Sequence, residues 1–108
     1  MTKVRYKGKA TTIAKTQIES KIEKRVCTYA RGLGWLAWKF TSPGKRGVPD
    51  RIFMKNEVCV FIEFKVCGRR PSKLQRRRIN EIKRAGMHAF YVDSVESGKE
   101  FFNQFEKI

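Results

Sequence analysis

The run Val58-Cys59-Val60-Phe61-Ile62-Glu63-Phe64-Lys65-Val66 decides the fold of this sequence. Its apolar, β-branched and aromatic residues predict a buried β-strand, the longest in the chain. Glu63 and Lys65 interrupt the run, and an unpaired charge is costly to bury. These side chains therefore need partners, and a divalent cation is a possible partner for a carboxylate.

A second carboxylate, Asp50, lies near the start of the strand that precedes this run. The segment Asp50–Met54 predicts a strand, and the short link to Val58 predicts an antiparallel hairpin. A two-residue turn at 56 and 57 places Asp50 opposite Glu63, whereas a three-residue turn places it opposite Ile62, on the other face. One residue of register therefore decides whether the two acids meet.

The remaining patterns complete a single mixed sheet flanked by helices. Residues 58–92 predict a strand–helix–strand unit, whose two strands would be parallel in one mixed sheet. Capping-box patterns, Ser or Thr followed three residues later by Glu or Gln, mark two helix starts, near Thr16 and at Ser72. The predicted order is helix, three strands, helix, strand, helix: a helix from Thr16, strands Trp35–Phe40, Asp50–Met54 and Val58–Val66, a helix from Ser72, a strand His88–Val92 and a helix beginning at Asp93 or Ser94.

Composition limits the organisation and the partners of the chain. Its 108 residues suffice for one domain, which we place at residues 16–108 after a basic N-terminal arm at residues 1–15. Lys and Arg total 25 against 10 acids, a formal charge of +15, which favours polyanions such as DNA. No apolar run approaches the length of a membrane span, about 20 residues.

The three cysteines have neither the number nor the spacing of a disulfide framework or a zinc site. They are Cys27, Cys59 and Cys67, and the chain has a single histidine, His88. Free thiols in a reducing cytoplasm fit this pattern.

Three Glu-x-Lys triplets occur, at Glu19, Glu63 and Glu81. Only Glu63 and Lys65 lie on a predicted strand, where residues two apart share a face; helical residues two apart diverge by about 200°. The oxygens of Asp50 and Glu63, with the Phe64 carbonyl, suit Mg²⁺ or Mn²⁺, and Lys65 would orient a water or stabilise transition-state charge. A structural ion pair between Glu63 and Lys65 on a half-exposed face fits the spacing equally well.

Three blocks, in this order and spacing, resemble the VRR-NUC domain, a compact branch of the PD-(D/E)xK nuclease superfamily. They are Gly47-Val48-Pro49-Asp50, Phe61-Ile62-Glu63-Phe64-Lys65 and Ser72-Lys73-Leu74-Gln75, and the resemblance extends from about Thr16 to Ser94. It implies a restriction-endonuclease-like α/β fold with Asp50 and Glu63 as metal ligands and Lys65 as the catalytic lysine.

The resemblance also implies an acid on the first helix and a glutamine after the catalytic strand. We match the acid to Glu19, with Glu23 one turn later as the competitor, and the glutamine to Gln75 as support for the active site. Both Glu19 and Gln75 also occupy the third position of a capping box, which gives each a purely structural alternative.

Basic residues flank these blocks and are candidates for phosphate contacts. Arg76, Arg77 and Arg78 cannot all share one helical face, so at least one of them is expected to point elsewhere. The candidate DNA-binding residues are Lys45, Arg46, Arg69, Arg70, Lys73, Arg76 and Arg77.

One catalytic centre cuts one strand, so paired cleavage of a branched substrate needs a two-fold dimer. The sequence therefore predicts a Mg²⁺-dependent, structure-selective DNA endonuclease that acts as a homodimer, as stand-alone VRR-NUC proteins resembling Holliday-junction resolvases do. The alternatives are a monomeric flap or single-strand nuclease and a non-catalytic basic module that binds nucleic acid. We expect Trp35, Trp38 and Tyr91 to be buried in the core rather than at an interface.

Overall fold

The structure is a computed structural model that describes residues 12–106 of the chain. The order of its elements confirms the predicted one. They are α1 (Thr12–Gly32), β1 (Leu36–Lys39), β2 (Arg51–Lys55), β3 (Val58–Phe64), α2 (Lys73–Arg84), β4 (His88–Val92) and α3 (Val95–Glu106).

The strands form one mixed sheet in the order β1-β2-β3-β4. The first three strands are antiparallel neighbours, and β4 runs parallel to β3 because α2 carries the chain back along the sheet. The hairpin between β2 and β3 has the two-residue turn, with Lys55 paired to Val58. Asn56 and Glu57 have φ values of +48° and +68°, the left-handed conformation of a type I′ turn.

Helices cover the two faces of the sheet unequally. On one face α1 and α3 pack against Phe53, Ile62 and Phe64, all fully buried, and form the main core. On the other face α2 covers only the β3–β4 half, where Ile79 packs with Phe61 and Ala89. The β1–β2 half of that second face therefore has no helix over it in the described part of the chain.

The unequal cover of the sheet determines which aromatic side chains are buried. Trp35 is buried against Phe102, as expected. Trp38 and Tyr91 are 57% and 40% exposed, so the expectation that they lie in the core is wrong. Both lie on edge strands, Trp38 on β1 and Tyr91 on β4, and on the face that α2 covers only in part.

The first helix begins earlier than predicted, at Thr12 rather than near Thr16. Thr16 is thus inside the helix, and since an N-cap residue has non-helical backbone angles, the capping box predicted there is wrong. Thr12–Lys15 contain no glycine or proline that would stop the helix from extending. These four residues belong to the predicted basic arm, and the rest of that arm, residues 1–11, lies outside the described residues.

The second predicted capping box is confirmed. The Ser72 hydroxyl accepts the Gln75 backbone N–H at 3.1 Å, and the Gln75 side chain accepts the Ser72 backbone N–H at 2.8 Å. Within residues 12–106, no helix is both long and apolar enough to cross a bilayer.

We predict that Gly98→Ala destabilises the fold by about 1–3 kcal/mol, because an added methyl group overfills the contact between α3 and α1. A Cβ at Gly98 would lie 2.6 Å from Cγ2 of the buried Val26. The control is Gly32→Ala, at the end of α1, where a Cβ would have nothing within 4 Å; a more helix-prone residue there should leave stability unchanged or slightly higher. Urea unfolding measures both, and equal midpoints would contradict the packing argument.

Candidate active site

The hairpin register brings Asp50 beside Glu63. Arg51 pairs with Ile62, so the preceding residue, Asp50, lies opposite Glu63, as the two-residue turn predicts. Asp50 is held there because its Oδ2 accepts the Phe64 backbone N–H at 2.9 Å. In an antiparallel pair the N–H and C=O of one residue face the same neighbour, so the Phe64 carbonyl is also directed toward the Asp50 side.

The loop that delivers Asp50 packs against the first turn of α2. Gly47 has a φ of +81°, and a Cβ there would lie 2.7 Å from Cγ of Leu74. Both facts require glycine at this position. The Arg46 carbonyl also accepts an N–H from Nε of Arg78 at 2.9 Å, which ties the loop to α2 a second time.

Glu63 is the most enclosed charged group of the site, with 3% exposure. Its Oε2 accepts the Gln75 amide N–H at 2.9 Å and lies 3.3 Å from Nζ of Lys65. Its Oε1 is buried with no hydrogen-bond partner in the described structure. Loss of solvation and the nearby Asp50 charge raise the pKa of Glu63 to about 7, although Lys65 opposes them.

Gln75 performs two functions that the sequence presented as alternatives. Its side-chain oxygen caps α2 at Ser72, and its amide nitrogen donates to Glu63. An amide can do both because it carries an acceptor and two donors. The predicted contact of Gln75 with the site is therefore present together with the structural one.

Lys65 lies one residue beyond the end of β3 and is still fixed by the sheet. Its backbone N–H donates to the Val92 carbonyl at 2.9 Å, and its side chain is 18% exposed. The ion pair between Glu63 and Lys65 that the structural alternative predicted is present. It differs from that alternative because the Glu63 carboxylate is buried rather than half-exposed, and only one of its two oxygens is paired. The other oxygen remains available.

The two acids on α1 have different surroundings. Glu23 is engaged by Arg51 at 2.6 Å and by Lys39 at 3.4 Å. Glu19 takes part in none of the ion pairs formed among residues 18–106. Partial burial raises the pKa of Glu19, with Lys65 opposing and Asp50 adding to that effect, so its charge interacts with the same groups as those of the site. The charge of Glu23 also raises the pKa of Asp50, so both acids of α1 act on the site, and they differ in that Glu23 is paired with Arg51 and Lys39.

The donor set fits a hard divalent cation in one specific respect, the buried and unpaired Oε1 of Glu63, which lies near a second carboxylate. Burial is also the main cause that raises the pKa of Asp50, and the Phe64 N–H only partly offsets it. Residues 18–106 contain no group of three His, Cys, Asp or Glu side chains that would enclose a metal ion. The centre is therefore a pair of carboxylates, with Glu19 beyond them.

All seven predicted DNA-binding residues are exposed. Arg78 is the one of the three consecutive arginines that points elsewhere, since it binds Glu81 and the Arg46 carbonyl. An open groove of about 790 Å³ runs along α2 and includes a basic residue that sequence reasoning missed, Arg84. Its spacing of seven residues from Arg77 was the available signal. The groove is lined by Lys73, Leu74, Arg76, Arg77, Asn80 and Arg84.

Comparison with known proteins bears on the relatives and the fold of the chain. No family model matches the chain. It is 38% identical over 79 residues to "Putative nuclease p44" of Acyrthosiphon pisum secondary endosymbiont phage 1, an alignment that covers 72% of this chain and 85% of the phage protein. The fold is that of a solved "VRR_NUC domain", with a TM-score of 0.75 over 82% of this chain and 97% of the other, at 23% identity.

The chain belongs to the family of this phage protein, and its fold is that of the VRR-NUC domain. A second solved structure, a "VRR_NUC domain protein", has a TM-score of 0.68 and 16% identity, and the match covers 82% of this chain and 88% of the other. The mixed sheet with flanking helices is thus the VRR-NUC fold, as the sequence blocks predicted.

We predict different effects on stability for two substitutions of Asp50, measured in chelator. Asp50→Asn keeps an oxygen for the Phe64 N–H and removes a desolvated charge beside Glu63, so the melting temperature should stay equal or rise. Asp50→Ala leaves that N–H without its acceptor and should cost about 1–3 kcal/mol. Thermal unfolding in chelator measures both, and an Asn variant as unstable as the Ala variant would show that like-charge repulsion is unimportant here.

Proposed function

We propose that this chain is a Mg²⁺- or Mn²⁺-dependent, structure-selective DNA endonuclease that acts as a homodimer on branched DNA, in the manner of a Holliday-junction resolvase. The observation that carries the proposal is the buried Glu63, whose Oε1 is unpaired while Gln75 and Lys65 hold its Oε2. The similarity of the chain to the phage protein "Putative nuclease p44" supports phosphodiester hydrolysis as the reaction. The same similarity supports the cytoplasm of a bacterial or phage-infected host cell as its location.

Each residue of the site has a separate task in phosphodiester hydrolysis. Asp50, Glu63 and the Phe64 carbonyl would hold the cation, with Glu19 as the further acid. The bound cation would polarise a phosphoryl oxygen and lower the pKa of a water. Gln75 fixes the rotamer of Glu63, so that Oε1 is the oxygen left for the ion.

In this proposal Lys65 acts on the reacting groups, and its position beside Glu63 supports that role. Its ammonium group is anchored near Glu63 and reaches solvent, which allows it to orient the attacking water or to stabilise negative charge on the phosphate in the transition state. The exposed basic residues of the loop and of α2 hold the DNA backbone on either side. Contacts of this type recognise the shape of DNA rather than its sequence.

Support for a dimer comes from β1. Leu36 and Trp38 point to the same face of this strand and are 52% and 57% exposed. A second copy of the chain would bury this apolar surface, and two centres related by a two-fold axis would cut two strands of a branched substrate.

We expect Lys65→Ala to lower the rate of junction cleavage by about 100-fold or more, because it removes a cation from the transition state. DNA binding should change little, since many other positive charges remain. Chelator should abolish cleavage by the unaltered protein, and Mg²⁺ should restore it. Lys99→Ala, an exposed lysine on α3, is the matched control and should cleave normally. Full activity of the Lys65 variant would instead favour a non-catalytic basic module.

Solution mass and substrate choice test the dimer together. The unaltered protein should have the mass of two chains and cut four-way junctions in preference to flaps or plain duplex. Trp38→Glu should shift the mass to one chain and abolish paired cleavage, whereas Met87→Glu, a residue 45% exposed outside β1, should not. A monomer that cuts flaps and leaves junctions intact would establish the flap-nuclease alternative.

A further inference from the structure

A second groove lies on the other side of α2, between this helix and β4. It encloses about 310 Å³, at the lower end of the volumes typical of small-ligand sites. Its lining combines apolar and cationic groups: the buried Pro71 and Ile79, the exposed Arg76, Asn80 and Lys83, and the ring of Tyr91. None of these residues except Arg76 belongs to the predicted site.

Tyr91 places this groove next to the catalytic carboxylates. It is the β4 partner of Glu63, so both side chains project from the same face of neighbouring strands about 4.8 Å apart. Asp50, which directly precedes β2, thus lies on one side of Glu63 and Tyr91 on the other. A ligand on the Tyr91 ring would therefore lie on the strand next to Glu63.

Neither burial nor a hydrogen bond within the described residues gives the Tyr91 side chain a structural role. It is 40% exposed, and within the described part of the chain its hydroxyl has no hydrogen bond, whereas that of Tyr29 binds Asn103. The ring therefore presents a free aromatic surface at the mouth of a positively charged groove.

An aromatic ring between cations suits a nucleotide whose base is unpaired. The ring stacks on a base of any identity, and nearby Lys and Arg groups hold the phosphates. Arg76 and Lys83 are the cations that line this groove. In an intact duplex the base faces are covered by neighbouring base pairs, so a paired strand can reach the cations but not the ring.

We propose that the groove between α2 and β4 binds one unpaired nucleotide of the DNA substrate beside the cleavage site, with its base on the Tyr91 ring and its phosphates against Arg76 and Lys83. This inference rests on the proposed nuclease function and defines the feature of branched DNA that the site recognises. The enzyme selects a branch point at which at least one base is free of its partner.

Binding in chelator tests the groove without cleavage. The probes are a fully paired duplex and the same duplex with one unpaired thymidine, compared by fluorescence anisotropy. Tyr91→Ala should weaken binding of the unpaired probe about 5-fold or more and leave the paired duplex unaffected. Tyr91→Phe, which keeps the ring, should bind both probes as the unaltered protein does.

Three results would overturn the proposal: unchanged affinity of Tyr91→Ala for the unpaired probe, an equal loss for both probes, or a loss in Tyr91→Phe as large as in Tyr91→Ala. Lys83→Gln adds an independent measurement, since loss of one phosphate contact to a single strand should lower the slope of log affinity against log salt by about 0.7. An unchanged slope on the unpaired probe would also contradict the assignment. Cleavage by Lys65→Ala tests the nuclease function separately, so failure of one proposal is distinct from failure of the other.

Discussion

The two-residue turn at Asn56 and Glu57 is the constraint on which the site depends. Both residues take left-handed conformations, which give the turn a twist compatible with two antiparallel strands. The turn fixes the pairing of β2 with β3, and at the far end of the hairpin this pairing sets Asp50 against Glu63. Because alternate residues of a strand point to opposite faces, the meeting of the two acids follows from the turn length alone.

The Gln75 amide connects the fold to the chemistry. One end of the amide closes the first turn of α2, and the other end holds the Glu63 carboxylate. The start of the helix and the orientation of Glu63 are therefore parts of one hydrogen-bond network. The same helix carries the cations of both grooves, so the network also fixes where these cations lie relative to Asp50 and Glu63.

The sequence predicted the order of the elements, the two possible registers and the Ser72 cap, because each depends on local spacing. It failed where the answer depends on tertiary structure. The start of α1 at Thr12 was hidden by a four-residue capping pattern that occurs readily by chance. The exposure of Trp38 depends on where the helical cover of the sheet stops, and strand periodicity carries no such information. The pairing of Glu23 with Arg51 joins two elements whose relative position only the assembled fold defines.

The hairpin has a further consequence for quality control in the cell. Asp50 and the fully buried Phe53 lie on opposite faces of the same segment, so a slip of one residue that separates the acids also expels Phe53 from the core. A chain with that register would lose the pairing of the two acids and the burial of Phe53 together, so it would be less stable and open to cellular proteases. The stability of the fold and the arrangement of the two carboxylates are thus under a single constraint, and a stable chain with separated acids is not expected to accumulate.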